Sequence, residues 1–280
     1  MIPDSDTNTI YFSERLKTDP QYSAACARIT GVLDSFVIPY NFLPKTKDIW
    51  ARDYMPIQIS EDKFIEYRYD PDYLQGNWKN SRDLKTYADI VRDAINLKTI
   101  KSEILLDGGN MVKSSSCIIL TDKIVLENRY LCNKTELIKR LKDTFEVEKV
   151  VLIPWDKVEE CGHSDGVLRF IDDSTVLVHQ EYKTNTKMVG ELEYNGLNIE
   201  WLDFTVKKKD KMNWAYINFL QTKDLILVPK MNIEEDEQAF EQICKYYGSY
   251  AATGRIAQVE MTEIVKENGA LNCISWTRKK

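Results

Sequence analysis

Five polar residues with reactive side chains recur at nearly equal intervals along the chain. They are Asp53, Asp107, His163, Asn218 and Cys273, and the intervals between them are 54, 56, 55 and 55 residues. A fixed period of this size indicates a repeated structural unit. If the units surround an axis, the same point of each unit faces one centre. A thiol, an imidazole, two carboxylates and an amide gathered there would form a nucleophilic active site.

The segments between these residues repeat as well. Pairs of apolar runs separated by polar turns predict four β-hairpins: 55–59 with 64–67, 117–120 with 124–126, 167–171 with 175–178, and 215–220 with 225–228. A helical pattern follows each hairpin, at 84–95, 137–145 and 234–247, and less regularly at 183–194. A short apolar strand then returns at 103–106, 150–153, 197–202 and 255–259. Each unit therefore reads strand, strand, helix, strand.

The fifth unit is divided between the two ends of the chain. Residues 271–277 supply one strand and residues 9–12 its partner, and residues 37–40 close the unit. Asp19 and Pro20 predict the start of the intervening helix, since Pro is favoured at a first helical position. The sequence predicts an α/β fold of five ββαβ units around a pseudo-fivefold axis, in one domain spanning residues 1–280. A doubly wound parallel sheet fits the hairpins poorly.

Composition narrows the class of protein. The chain is 43% hydrophobic and carries a net charge of −6, which suits one globular core and argues against a nucleic-acid partner. Its apolar runs are too short for a membrane span, and its first residues lack the pattern of a signal peptide. Six cysteines without a C-x-x-C pair indicate a reduced, cytoplasmic protein. Two histidines and scattered cysteines give no metal-ligand spacing, so we expect no metal and no cofactor. The oligomeric state is not readable from the sequence.

Five motifs then carry a family resemblance. They are Trp50-Ala51-Arg52-Asp53, Asp107-Gly108-Gly109-Asn110, Gly162-His163-Ser164-Asp165-Gly166, Tyr216-Ile217-Asn218-Phe219 and Asn272-Cys273. In this order and spacing they resemble the guanidine-modifying superfamily called penteins. The resemblance is closest to the agmatine deiminase and bacterial (Porphyromonas-type) peptidylarginine deiminase family, and it covers nearly the whole chain. It implies a fivefold ββαβ propeller with the site at its centre.

The resemblance also implies catalytic roles. Cys273 would be the nucleophile, attacking as a thiolate. His163 would protonate the departing ammonia and then deprotonate the water that hydrolyses the covalent intermediate. Asp53 and Asp165 would hold the planar, cationic guanidinium with paired hydrogen bonds.

Three further residues are assigned to substrate binding in the same way. Asp107 would orient His163 or bind the edge of the substrate. Asn218 would line the pocket. Trp50 would pack against the flat guanidinium or against the methylene stem of the substrate.

The expected activity is hydrolysis of the guanidine of agmatine or of an arginine derivative to a ureido group plus ammonia. The expected partner is therefore a small cationic guanidine or an arginyl peptide. Two departures affect the substrate: agmatine deiminases have Glu where Asp107 stands and His where Asn272 stands. The Asp favours the peptidylarginine deiminase branch. The candidate lid is 69–83, with Tyr73, Trp78 and Asn80. An amidinotransferase and a noncatalytic pentein binding protein remain as alternatives.

Overall fold

Five small sheets of one topology build the chain. The computed structural model describes residues 1–75, 81–159 and 161–280. Within these ranges, fifteen strands form five three-stranded sheets. In each sheet the middle strand pairs antiparallel with one neighbour and parallel with the other, as expected for a ββαβ unit. The predicted α/β fold of five such units is confirmed.

The unit that joins the two ends of the chain contains β1 (Thr9–Ser13), α1 (Glu14–Thr18), α2 (Ser23–Ser35) and β2 (Tyr40–Leu43). Its third strand, Ser275–Arg278, pairs antiparallel with β1. The predicted helix start at Asp19 and Pro20 is wrong. The Ser13 side chain accepts a hydrogen bond from the Arg15 backbone and starts α1 earlier, and α2 begins only at Ser23.

The other four units follow in chain order. The second contains α3 (Ala51–Tyr54), β3 (Ile57–Ser60), β4 (Lys63–Arg68), α4 (Ser81–Leu84), α5 (Ala88–Ala94) and β5 (Ile100–Leu105). The third contains β6 (Val112–Lys113), β7 (Cys117–Thr121), α6 (Lys123–Glu127), α7 (Lys134–Phe145) and β8 (Lys149–Ile153). The fourth contains β9 (Leu168–Asp172), β10 (Thr175–His179), α8 (Thr186–Tyr194) and β11 (Asn198–Leu202). The fifth contains β12 (Leu220–Thr222), β13 (Leu225–Lys230), α9 (Asp236–Tyr246), α10 (Gly248–Ala252) and β14 (Ile256–Glu260). Then follow α11 (Thr262–Val265) and β15, the Ser275–Arg278 strand.

The predicted hairpin of the third unit is wrong in its second half. The run 117–120 pairs with β6, the strand that precedes it in the chain, and the run 124–126 lies in helix α6. The Ser114 hydroxyl accepts a hydrogen bond from the Cys117 backbone at 3.2 Å and closes the earlier turn. A three-residue apolar run does not distinguish a strand from a helix. Here the run is helical, and Ile124 is buried from its position in α6.

Helix α7 illustrates how the units are held together. The Asn133 side chain accepts a hydrogen bond from the Glu136 backbone at 3.0 Å and caps the helix. Leu137, Leu141 and Phe145 follow at four-residue spacing on one face, and all three are buried. Burial of each such side chain contributes about 1.5–3 kcal/mol. The apolar face of α7 thus packs against β8, and the turns at 51–54, 108–110, 164–166 and 213–217 contact one another in succession.

The helices are also short. In the described ranges, no helix is long and apolar enough to cross a bilayer.

Candidate active site

Cys273 lies in the turn before β15, and the residue is 7% exposed. Its Sγ is 3.3 Å from Asn218 Oδ1 and 3.8 Å from Asp165 Oδ2. The Cys273 backbone N–H donates to Asn218 Oδ1 at 3.2 Å, and its carbonyl accepts from the Arg52 N–H at 3.0 Å. The backbone of the cysteine is therefore fixed by two other units, and its sulfur faces a carboxylate.

The imidazole of His163 lies between two carboxylates. Its Nε2 is 3.1 Å from Asp107 Oδ2, and its Nδ1 is 3.8 Å from Asp53 Oδ1. Burial opposes the charge on this ring, but Asp53 and Asp107 outweigh that effect and raise the pKa of His163 to about 9. At neutral pH the ring is therefore an imidazolium that can donate a proton.

Two glycines allow the turns that carry these side chains to meet. A Cβ at Gly109 would lie 2.4 Å from His163 Nδ1 and 2.8 Å from Asp53 Oδ1. A Cβ at Gly108 would lie 2.0 Å from the Arg52 carbonyl oxygen. The Gly109 N–H also donates to Asp53 Oδ1 at 3.1 Å. The Asp-Gly-Gly motif is thus needed for close backbone approach as well as for its carboxylate.

The site disfavours additional negative charge. Burial, with Asp107 and Asp165 nearby, raises the pKa of Asp53 to about 8 although His163 opposes the shift. Burial, with Asp165 and Asp53 nearby, also raises the pKa of the Cys273 thiol well above its usual value. A bound cation would reverse both effects, because it would stabilise the carboxylate and the thiolate.

Asp165 is held by the residue next to the thiol. The Asn272 side chain donates to Asp165 Oδ2 at 2.7 Å, and Asn218 Nδ2 donates to the Asp165 carbonyl at 3.3 Å. Asn272, the neighbour of Cys273 in the chain, therefore orients a carboxylate that faces the thiol.

These side chains open into one cleft with a volume of about 430 Å³. Five of the seven residues predicted from the sequence line it: Trp50, Asp53, His163, Asp165 and Cys273. Asp107 and Asn218 lie one layer deeper, at 4% and 0% exposure, behind His163 and Cys273 respectively.

Sequence reasoning missed most of the outer wall. Asp156, Glu159, Glu181, Lys211, Trp214 and Glu267 line the cleft on loops and turns with no recognisable motif. Tyr73, from the predicted lid, also lines it and donates a hydrogen bond to Asp107 Oδ2 at 3.0 Å. Trp78 and Asn80 of that segment lie outside the described residues. Within residues 1–75, 81–159 and 161–280, no group of three acidic, His or Cys side chains could hold a metal ion.

Relatives of known structure share this architecture. The C. Jejuni agmatine deiminase superimposes with a TM-score of 0.77 at 18% identity, over 100% of this chain and 96% of that chain. The agmatine deiminase of Enterococcus faecalis gives a TM-score of 0.76 at 18% identity, over 99% and 95% of the two chains. Similarity at this level shows the fold, and the pentein propeller predicted from the motifs is confirmed.

Sequence comparison also identifies similar proteins. A Photobacterium profundum protein named "Putative agmatine deiminase" is 21% identical over 279 residues, covering 82% of this chain and 74% of that protein. The model of the Porphyromonas-type peptidyl-arginine deiminase family matches residues 14–278, which include every candidate site residue. With the match spanning all five units and the cleft between them, the chain belongs to the Porphyromonas-type peptidyl-arginine deiminase family.

Proposed function

We propose that the protein hydrolyses a small cationic guanidine to a ureido compound and ammonia. The observation that carries this proposal is the cleft in which the Cys273 thiol lies 3.8 Å from Asp165 and the His163 imidazole lies 3.8 Å from Asp53. A nucleophile, a proton donor and two carboxylates are the groups that guanidine hydrolysis requires.

The two carboxylates bind the substrate. Asp53 and Asp165 accept hydrogen bonds from the N–H groups of the guanidinium, and Trp50 covers its flat face. The ring of Trp50 is supported by Gly269, where a Cβ would lie 2.0 Å from the ring carbon Cζ3. The arriving cation lowers the pKa of the Cys273 thiol, because it neutralises the carboxylates that hold the proton on the sulfur. Substrate binding therefore generates the thiolate.

The reaction then proceeds in two halves. The thiolate adds to the guanidinium carbon, His163 donates a proton to one nitrogen, and the C–N bond breaks to release ammonia. Water adds to the resulting amidino-thio carbon as His163 takes one of its protons. The C–S bond then breaks, and the remaining hydroxyl proton passes to the departing sulfur, which restores the Cys273 thiol and releases the neutral ureido product. Since Nε2 faces Asp107, Nδ1 is the nitrogen that exchanges the proton with the cleft.

The outer wall favours a substrate with a second positive charge. Four carboxylates, those of Asp156, Glu159, Glu181 and Glu267, line the cleft together with the ammonium of Lys211. This excess of negative charge attracts an amine tail and repels the carboxylate of a free amino acid. We therefore place agmatine-like guanidines ahead of free arginine. One catalytic domain over residues 1–280 and a reduced, cytoplasmic location stay predictions.

A substrate panel tests the proposal. Agmatine, free arginine, methylated arginines and arginyl peptides are incubated with the protein, with Cys273→Ala and with the control Cys244→Ala. We expect ureido product and ammonia from at least one guanidine, lost in Cys273→Ala and retained in Cys244→Ala. Product that forms only when an acceptor amine is added would indicate amidino transfer. A lack of turnover on every guanidine would favour the noncatalytic alternative.

A further inference from the structure

A buried lysine supports the wall of the cleft. Lys123, at the start of α6, is only 1% exposed, and its ammonium donates to Asp72 Oδ1 and to the Cys161 carbonyl, each at 3.0 Å. It also lies 5.3 Å from the ring centre of Tyr73 and 5.4 Å from that of Trp155. Burying an ammonium group costs free energy unless the charge is paired, so these contacts stabilise Lys123 in its buried position.

The partners of Lys123 belong to two segments that meet at the site. Asp72 and Tyr73 lie in the 3₁₀ turn Asp72–Leu74, and Cys161 precedes the turn that carries His163. Gly162, between Cys161 and His163 in the chain, has φ +65. A Cβ at this position would lie 2.6 Å from Trp155 Nε1 and 2.9 Å from Lys123 Cδ. One side chain thus contacts both segments, the turn that carries Tyr73 and the residues that precede His163.

Tyr73 and His163 share one carboxylate oxygen. The Tyr73 hydroxyl donates to Asp107 Oδ2 at 3.0 Å, and His163 Nε2 contacts the same atom at 3.1 Å. Two donors on one oxygen fix the carboxylate plane, and each reduces the negative charge available to the other. The phenol therefore limits how strongly Asp107 retains the proton on His163.

We propose that Tyr73, held by Lys123, is a positioning residue that orients Asp107 and sets the proton affinity of His163 for the proposed hydrolysis. This inference rests on the proposed function of the cleft. The charged and titratable groups facing His163 are Asp53, Asp107, Asp165, Glu127 and Glu159. Those facing Tyr73 are Asp107, Tyr69, Asp53, Cys161 and Lys123. The tyrosine hydroxyl is uncharged at neutral pH, because burial and Asp107 raise its pKa well above the usual value.

The test is a histidine NMR titration of the full chain. The protein has two histidines, and a His179→Gln variant assigns the remaining ring signals to His163. We expect Tyr73→Phe to raise the pKa of His163 by about 0.5–1 unit, because Asp107 loses a competing donor. The alkaline limb of kcat/KM should move upward by the same amount, with kcat about three- to tenfold lower. Tyr194→Phe, a control at an exposed position, should leave both unchanged.

Lys123→Met provides a second route to the same result. It removes the charge that holds Tyr73, so it should shift the His163 titration in the same direction, and the double variant should shift it little further. An unchanged or lowered pKa of His163 in folded Tyr73→Phe protein would overturn the assignment. The titration needs no turnover, so it decides the role of Tyr73 even if the substrate panel refutes the proposed activity.

Discussion

Asn218 Oδ1 binds the backbone N–H of Cys273 at 3.2 Å and lies 3.3 Å from its Sγ. The same oxygen accepts the Asn272 N–H at 3.1 Å. One amide oxygen from the turn before β12 therefore orders both residues of the Asn-Cys motif. Because Asn218 is fully buried behind the thiol, its position favours orienting the nucleophile over contacting the substrate.

Replacement of Asn218 should show whether this residue orients Cys273 or binds the substrate. Asn218→Ala leaves two buried N–H groups without this acceptor, so we expect unfolding free energy to fall by about 1–3 kcal/mol. Turnover should fall about 100-fold with a smaller change in KM, since the sulfur is no longer held against the substrate carbon. Urea denaturation and steady-state kinetics measure the two effects. Asn198→Ala, at an exposed position on β11, is the control. A KM increase with unchanged kcat would instead assign Asn218 to substrate binding.

Gly109→Ala should damage the site more than the fold. The added Cβ would press on His163 Nδ1 at 2.4 Å and on Asp53 Oδ1 at 2.8 Å, so both side chains must move. We expect turnover to fall at least about 100-fold, since a misplacement of about 1 Å costs that much. Gly190→Ala is the matched control, because a Cβ at that position in α8 meets nothing within 4 Å. It should retain activity and gain about 0.5–1 kcal/mol of stability. Equal activity of the two variants would contradict the close packing at Gly109.

The fold was predictable because its signals are local and repeated. Apolar runs separated by polar turns predicted the hairpins of the second and fourth units, and the spacing of about 55 residues predicted units around one axis. The errors fall where local signals compete. The run 124–126 is too short to distinguish a helix from a strand. Ser13 caps helix α1, which begins before the helix start that Asp19 predicted.

The site was predictable only where motifs carry it. Motifs predicted Trp50, Asp53, His163, Asp165 and Cys273 as site residues, and the structure places these five along one cleft. The outer carboxylates could not be found, because single acidic residues on loops look like ordinary solvated charges. The layering of Asp107 and Asn218 behind the reactive groups also depends on three-dimensional packing that spacing does not encode.

His163 should make the stability of the protein depend on pH. Its folded pKa of about 9 exceeds the usual value of 6.5, so the folded protein binds the proton more tightly than the unfolded chain. The resulting stabilisation is fully present below the unfolded pKa and is lost as pH rises through the folded pKa. The folded pKa of Asp53 is raised to about 8, so the folded protein also binds this proton more tightly than the unfolded chain does. The stability of the protein therefore falls as the pH rises toward 8, in the same direction as the effect of His163.

Chemical denaturation on either side of this window measures the effect. We expect the unfolding free energy to fall by about 1–3 kcal/mol from pH 6 to pH 9.5, and to fall less in His163→Gln. His179→Gln removes the other histidine, whose pKa is lowered to about 4 by burial, and should not change this dependence. An equal pH dependence in His163→Gln would show that another group is responsible.

The thiol of Cys273 should be protonated until substrate arrives. Burial and the charges of Asp165 and Asp53 raise its pKa well above the usual value, so alkylation by iodoacetamide should be slow at neutral pH and rise steadily with pH. Asp165→Asn removes one of these charges and should lower the thiol pKa, so that alkylation becomes fast at a lower pH than in the unchanged protein. Mass spectrometry of the Cys273 peptide measures the rates, with Asp62→Asn as an exposed control. Rapid alkylation of the unchanged protein at neutral pH would refute a protonated resting thiol.

The most direct test of the account is to trap the covalent intermediate. Protein that is turning over the best guanidine of the panel is quenched in acid, and the peptides are analysed by mass spectrometry. We predict an amidino adduct on the peptide that contains Cys273, and neither adduct nor turnover in Cys273→Ala. Turnover that continues undiminished in Cys273→Ala, with no adduct on the unchanged protein, would contradict the assignment of Cys273 as the nucleophile.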